Sequence, residues 1–358
     1  MMKPLHIGDL TARFPIIQGG MGVGVSLSGL AGAVAACGGV GIISAAQIGY
    51  READFSRNPR KANIRALKAE ICRARELSKE GGGLIGVNIM VAMRFYEEYV
   101  RTAAEAGADL IVSGAGLPVD LPRFVEGTKV RIAPIVSSLR ALSVIWKLWE
   151  RRGKQQPDLV VIEGPRAGGH LGFSPEDLAH PEELAYDQKI REMVAFVREK
   201  EKSGKNPVPV VTAGGIYDRA DVEQALSLGV DGVQVATRFV TTWECDASPA
   251  YKQAYLDAKK EDIVITASPV GMPGRAIRNT FLEQPSHPVG ACYQCLAQCK
   301  PREIPYCITE ALVQAVEGNT SQGLLFCGDN AWRATKIEHV GEVMADLTGS
   351  VFQGKTNV

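Results

Sequence analysis

The stretch EGPRAGGHLGF, residues 163–173, places a carboxyl at Glu163 and an imidazole at His170 directly behind two glycines, Gly168 and Gly169. An imidazole near its unperturbed pKa of about 6.5 accepts or donates a proton at neutral pH. A glycine pair lets the main chain lie close against a flat ligand, because no Cβ intervenes. Two further stretches suit a phosphate. TAGGI (212–216) offers the N–H groups of Gly214 and Gly215, and QVATRF (234–239) adds Gln234, Ala236 and the hydroxyl of Thr237. The bland reading of those glycines is a tight strand-to-helix turn. A third glycine run, GGMGVG (19–24), contains Gly20, Met21 and Gly22. Near the end of the chain, Cys292, Cys295, Cys299 and Cys307 form C-x2-C-x3-C-x7-C, with Cys327 beyond. The first pair has the spacing of a metal knuckle, so a zinc or iron–sulfur centre is the expectation, against buried thiols or redox regulation.

Short β-branched runs alternate with helical patterns along the chain, and these are the elements that must carry that chemistry. The expected strands are 14–18, 39–44, 84–90, 109–114, 130–138, 159–164, 208–215 and 231–239. Helical segments at 63–80, 94–107, 186–204 and 218–229 lie between them, several ending on a glycine suited to a C-cap. Continuous apolar strands separated by helices call for a parallel sheet with covered faces. Eight such units match a (β/α)8 TIM barrel better than a doubly wound sheet, because GGMGVG lacks the G-x-G-x-x-G spacing of a dinucleotide fingerprint. Barrel enzymes work at the C-terminal ends of their strands. There the unusual residues gather: Gln18 to Gly22, Asn88, Ser113, Ser137, Glu163 to His170, Gly214 and Gly215, and Thr237. A helix starting near Asp218 adds a positive end to the phosphate loops. The reading is a barrel over 1–242, a cap segment over 243–290 and a Cys-rich C-terminal extension over 291–358.

Six motifs in order resemble the nitronate monooxygenase (2-nitropropane dioxygenase) family and its relatives, the flavin-dependent enoyl-acyl-carrier-protein reductases. They are FPIIQGGMGVGVS (14–26), GVNIM (86–90), AGGHLG (167–172), VVTAGGI (210–216), GVQVATRF (232–239) and GMPGRAIRN (271–279). The resemblance implies a barrel holding FMN, its phosphate on the Gly214, Gly215 and Thr237 loops. The ring then lies near Gly20, Met21, Gly22, Asn88, Gly168, Gly169 and His170, with Glu163 and Gln234 at polar positions of the same loops. It implies His170 as the active-site histidine and oxidation of alkyl nitronates to carbonyl compounds and nitrite. The second reading on the same scaffold is an NAD(P)H-dependent reductase of an enoyl thioester or quinone. Outside the resemblance stand a flavin-free sugar-phosphate lyase or isomerase using Glu163 and His170, and a non-catalytic sensor built on the cysteine tail.

Composition narrows the partners. Forty basic residues balance forty acidic ones in 358 residues. No broad electrostatic field therefore favours nucleic acid or an anionic membrane, and a small-molecule substrate is expected. The N-terminus lacks a signal-peptide run and no later segment has spanning length, so the expectation is a cytoplasmic protein. The stretch 308–319 reads as an amphipathic helix with Ile308, Leu312, Ala315 and Val316 on one face, packing inward. The basic stretch 147–156 reads as a solvated helix end, and the last ten residues as loose.

Overall fold

The computed structural model describes residues 2–351 apart from 154–155, 203–205 and 285. Parts of the basic stretch, of the 186–204 helix and of the C-terminal tail fall outside the described residues. All eight expected strands form, trimmed at their ends: Ile16–Gln18, Val40–Ser44, Leu84–Asn88, Leu110–Ser113, Arg131–Val136, Val160–Glu163, Val210–Ala213 and Gly232–Val235. Each pairs in parallel with the next, and the eighth closes on the first through Val233 opposite Ile16. The result is the closed (β/α)8 barrel.

Strand geometry sends alternate side chains to opposite faces, and the packing follows that period. Ile17, Val40, Ile42, Leu84, Leu110, Val112, Val161 and Val211 fill the barrel interior. Their neighbours Ile16, Ile43, Ile85, Ile111, Ile162, Val210 and Val233 point outward to the helices. A hairpin of Leu5–Ile7 with Leu10–Ala12, not anticipated from sequence, seals the interior by burying Leu5, Ile7 and Ala12 in it. Where the alternation reaches the strand ends, inward positions become the floor of the opposite mouth.

Residues after 242 pack back onto the barrel. Ile263–Ala267 and Pro273–Ile277 form an antiparallel pair, and the second of these also pairs with Gly169–His170 in a separate three-stranded sheet. Two residues of strand carry no period of their own, so the pairing of Gly169–His170 has no local signal in the sequence. Helix Ile308–Glu317 buries Ile308, Ala315 and Val316 as expected, while helix Val340–Thr348 packs against Ser28–Ala36 and Arg219–Ser227. Among the described residues no helix is long and apolar enough to cross a membrane.

Helix Ser28–Ala36 has no side-chain cap of its own, and its first N–H groups are satisfied from far along the chain. The Asp246 carboxylate accepts from Leu27 (2.8 Å), Gly29 (3.1 Å) and Leu30 (3.0 Å), and Glu70 accepts from Ser28 (2.8 Å). Replacing Asp246 with Ala should lower unfolding stability by about 2–3 kcal/mol in urea titrations, the cost of a lost cap with several orphaned donors. An unchanged urea midpoint would show that this long-range cap stabilises nothing.

Candidate active site

A cavity of about 420 Å3 opens at the C-terminal mouth of the barrel. The residues expected to hold the cofactor, together with His170, line it: Gly20, Met21, Gly22, Asn88, Glu163, Gly168, Gly169, Gly214, Gly215, Gln234, Ala236 and Thr237. Strand parity explains much of this, since Asn88 shares the inward face of Leu84, and Glu163 that of Val161. Glycine does separate work at the floor. A Cβ on Gly20 would sit 2.5 Å from that of Asn88, and one on Gly22 would sit 2.7 Å from Ser44 Oγ.

Two rim candidates turn away from the cavity. Gln18 is fully buried, with its side chain bonded to the Gly19 carbonyl and the Ile42 N–H. Ser113 points outward: its Oγ lies 2.7 Å from the Tyr96 phenol oxygen and donates to the Ile89 carbonyl at 2.6 Å. The positive end expected near Asp218 is also taken. Asp218 and Asp221 cap helix Arg219–Ser227 reciprocally, and Arg333 pairs with both carboxylates. That leaves the loops themselves to meet an anion. Gly214 (φ +101°) and Gly215 (φ +79°) hold left-handed backbone that favours glycine. Among the described residues no backbone carbonyl is paired with the N–H of Gly214, Gly215 or Thr237.

Gly168 needs its missing Cβ for a reason other than the expected flat ligand: a Cβ there would lie 2.6 Å from the backbone of Cys327. Gly169 is left-handed (φ +71°) with open space beside it. Pairing Gly274 opposite His170 and Arg275 opposite Gly169 then fixes the imidazole. His170 Nε2 lies 2.7 Å from Ser268 Oγ, and its ring meets Phe326 edge-on at 4.9 Å. The residue keeps part of its surface toward the cavity, yet the protein packed around the ring lowers its pKa to about 4. His170 is therefore neutral at physiological pH.

Glu163 shows the opposite shift from the same cause. Desolvation raises its carboxyl to about 8, and no cation lies within ion-pair distance among the described residues. Tyr186 donates to the Glu163 backbone carbonyl at 2.8 Å and to that of Ser137 at 3.0 Å, fixing the strand end.

Sequence reasoning missed the residues that close the site from the extension. Arg275, 3% exposed, donates to the Ala167 carbonyl at 2.5 Å, and the Cys327 N–H donates to the Arg275 carbonyl at 3.0 Å. Gly328 donates its N–H to Thr237 Oγ1 (2.8 Å), and Asn330 donates to the Gly215 carbonyl (2.7 Å). Among the described residues Arg166 is the only arginine or lysine lining the cavity, 3.8 Å from Asp329. Its place inside the quoted 163–173 stretch and the CGDN run at 327–330 were the available signals.

The expected metal site finds no support in the geometry. Cys292, Cys295, Cys299 and Cys307 are free thiols ranging from exposed to buried. Among the described residues the only three metal-type ligand atoms within 4.8 Å of one another belong to His180, Glu182 and Glu183, all exposed. Cys295 and Cys299 pack against the apolar cluster of Phe281, Leu296 and Tyr306, and burial together with the neighbouring thiols raises the pKa of Cys295, Cys299 and Cys307.

The closed parallel sheet defines a (β/α)8 barrel with its cavity at the strand C-termini, the face where such folds carry their sites. The family model of nitronate monooxygenase matches residues 3–350. A probable nitronate monooxygenase of Staphylococcus aureus (strain MSSA476) is 26% identical over 314 residues, 77% of this chain and 79% of that protein. Among solved structures, FabK from Thermotoga maritima is 24% identical with a TM-score of 0.67, covering 95% of this chain and 93% of that one. Nitroalkane oxidase from Streptomyces ansochromogenes is 21% identical with a TM-score of 0.69, covering 95% and 96%. Matches to other curated relatives span from 34% to 52% of those proteins' lengths. The chain belongs to the nitronate monooxygenase family.

Because the pKa of His170 is lower in the folded protein, the unfolded chain takes up the proton first as pH falls. Its contribution to stability should hold above the unfolded value of about 6.5 and be lost progressively toward pH 4. The wild type should therefore lose stability relative to His170→Asn over that window in paired urea titrations. A difference that stays constant with pH would mean that the imidazole is not desolvated.

Proposed function

We propose that the protein is an FMN-dependent nitronate monooxygenase, converting alkyl nitronates to carbonyl compounds and nitrite. The observation carrying this reading is the pairing, in one cavity, of unpaired Gly214, Gly215 and Thr237 amides with a glycine floor and a neutral imidazole. These residues fit a flat phosphorylated cofactor. The amides and Arg166 suit its phosphate, while Gly20 to Gly22, Asn88 and Gln234 suit the ring and its polar edge. When bound, FMN supplies the electron transfer between substrate and oxygen.

The chain's own residues do the rest. Neutral His170, held by Ser268, offers a hydrogen bond to the nitro group of a docked anion without adding a charge to be desolvated. An imidazole with its pKa near 4 is a weak base, so removal of a proton from a neutral nitroalkane is disfavoured. Preformed nitronate is the substrate this site suits. Met90, Leu117, Met272, Leu312 and Phe326 line the cavity and accommodate an alkyl group while excluding water.

The same apolar lining supports the second reading, a nicotinamide-dependent reductase of an enoyl thioester or quinone. The two separate in one anaerobic experiment on the yellow holoprotein. Nitronate should bleach the flavin absorption rapidly and NADH or NADPH slowly; the reverse order would select the reductase. Turnover with nitronate should exceed that with the neutral nitroalkane by about 10²–10⁴, the usual worth of an effective base that this site lacks. Comparable kcat/KM for both forms would return His170 to the role of base.

A further inference from the structure

Glu163 is a half-buried ionisable group of the cavity for which the proposed reaction has no use. It ends the sixth barrel strand on the inward face and lines the cavity. Its carboxyl has no hydrogen-bond or ion-pair partner among the described residues; only its backbone carbonyl is engaged, by Tyr186. Its strand neighbours bring nothing that compensates a charge. The seventh strand places Ala213 beside it, followed by Gly214, and the fifth strand ends toward Ser137.

The two guanidinium groups nearby share one carboxylate, and neither lies within ion-pair distance of Glu163. Arg166 faces Asp329 at 3.8 Å, and Arg275 approaches the same carboxylate at 3.9 Å. His170 is neutral, and burial keeps the protons on Tyr186, Tyr251, Tyr255 and Cys327. With the cofactor loaded, an ionised Glu163 would be a desolvated anion with no cation at ion-pair distance, which costs several kcal/mol per ion. A protonated one presents an O–H that a ring nitrogen or carbonyl oxygen can accept.

We propose that Glu163 meets the bound cofactor as a neutral carboxylic acid donating a hydrogen bond to it, so that loading the site traps a proton and weakens in alkaline solution. This inference rests on the FMN reading above. It goes further by assigning the protonation state and direction of one contact. The opposite arrangement, a carboxylate accepting from a ring N–H, makes the opposite prediction.

The test is a titration of apoprotein with FMN, followed by flavin fluorescence, for the wild type and Glu163→Gln from about pH 6 to about pH 9.5. The FMN phosphate and ring titrate alike in both, so the ratio of the two affinities isolates residue 163. Above pH 8 the wild type should lose affinity relative to Glu163→Gln, approaching about tenfold per pH unit. As a check independent of the variant, calorimetry of the wild type near pH 9 in buffers of different ionisation enthalpy should show net proton uptake on binding. Parallel profiles, a wild-type affinity that rises with pH relative to the variant, or proton release would overturn the inference while leaving FMN binding intact. Failure of both proteins to bind FMN at any pH would overturn the FMN reading and this inference with it.

Discussion

The site depends on a joint between the barrel rim and the extension: Gly169 and His170 paired with Arg275 and Gly274. Without that pairing the segment after the sixth strand is a glycine-rich loop, and its imidazole has no fixed direction. With it, the Arg275 side chain is buried against the Ala167 carbonyl, and the 327–330 segment is drawn over Gly168 and onto Thr237. Glycine is required at 168 by the chain that crosses there, and at 169 by the backbone twist that turns the chain into the sheet. The barrel supplies the floor and the extension supplies the wall.

That construction explains the electrical character of the cavity. Protein on several sides removes water from the two titratable groups nearest its centre, and the shifts run toward neutrality in both cases, down for His170 and up for Glu163. The cations of the region are held against Asp329 at one end. A neutral centre with a polar end suits a cofactor that carries its charge on a phosphate and its reactivity on an uncharged ring.

How much of this was legible follows from the range of each interaction. The eight strands were readable because a strand buried on both faces must be apolar throughout, and the rim residues because the barrel places its chemistry at known strand ends. Gln18 and Ser113 were misjudged because sequence position alone did not say which face each side chain takes. Ser268, Arg275 and the 327–330 segment reach the cavity through contacts spanning roughly 90 to 160 residues, and no local period announces such contacts. The cysteines are read no further for a related reason. Spacing suggested a knuckle, but packing around Phe281 and Tyr306 decided where the sulfurs went.

A crystal structure of the protein grown with FMN tests the central claim most directly. The account predicts the phosphate on the Gly214, Gly215 and Thr237 amides, and the ring between the Gly20–Gly22 floor and His170 with Ser268 still behind it. A barrel mouth closed by side chains, or FMN bound elsewhere with His170 facing solvent, would contradict it.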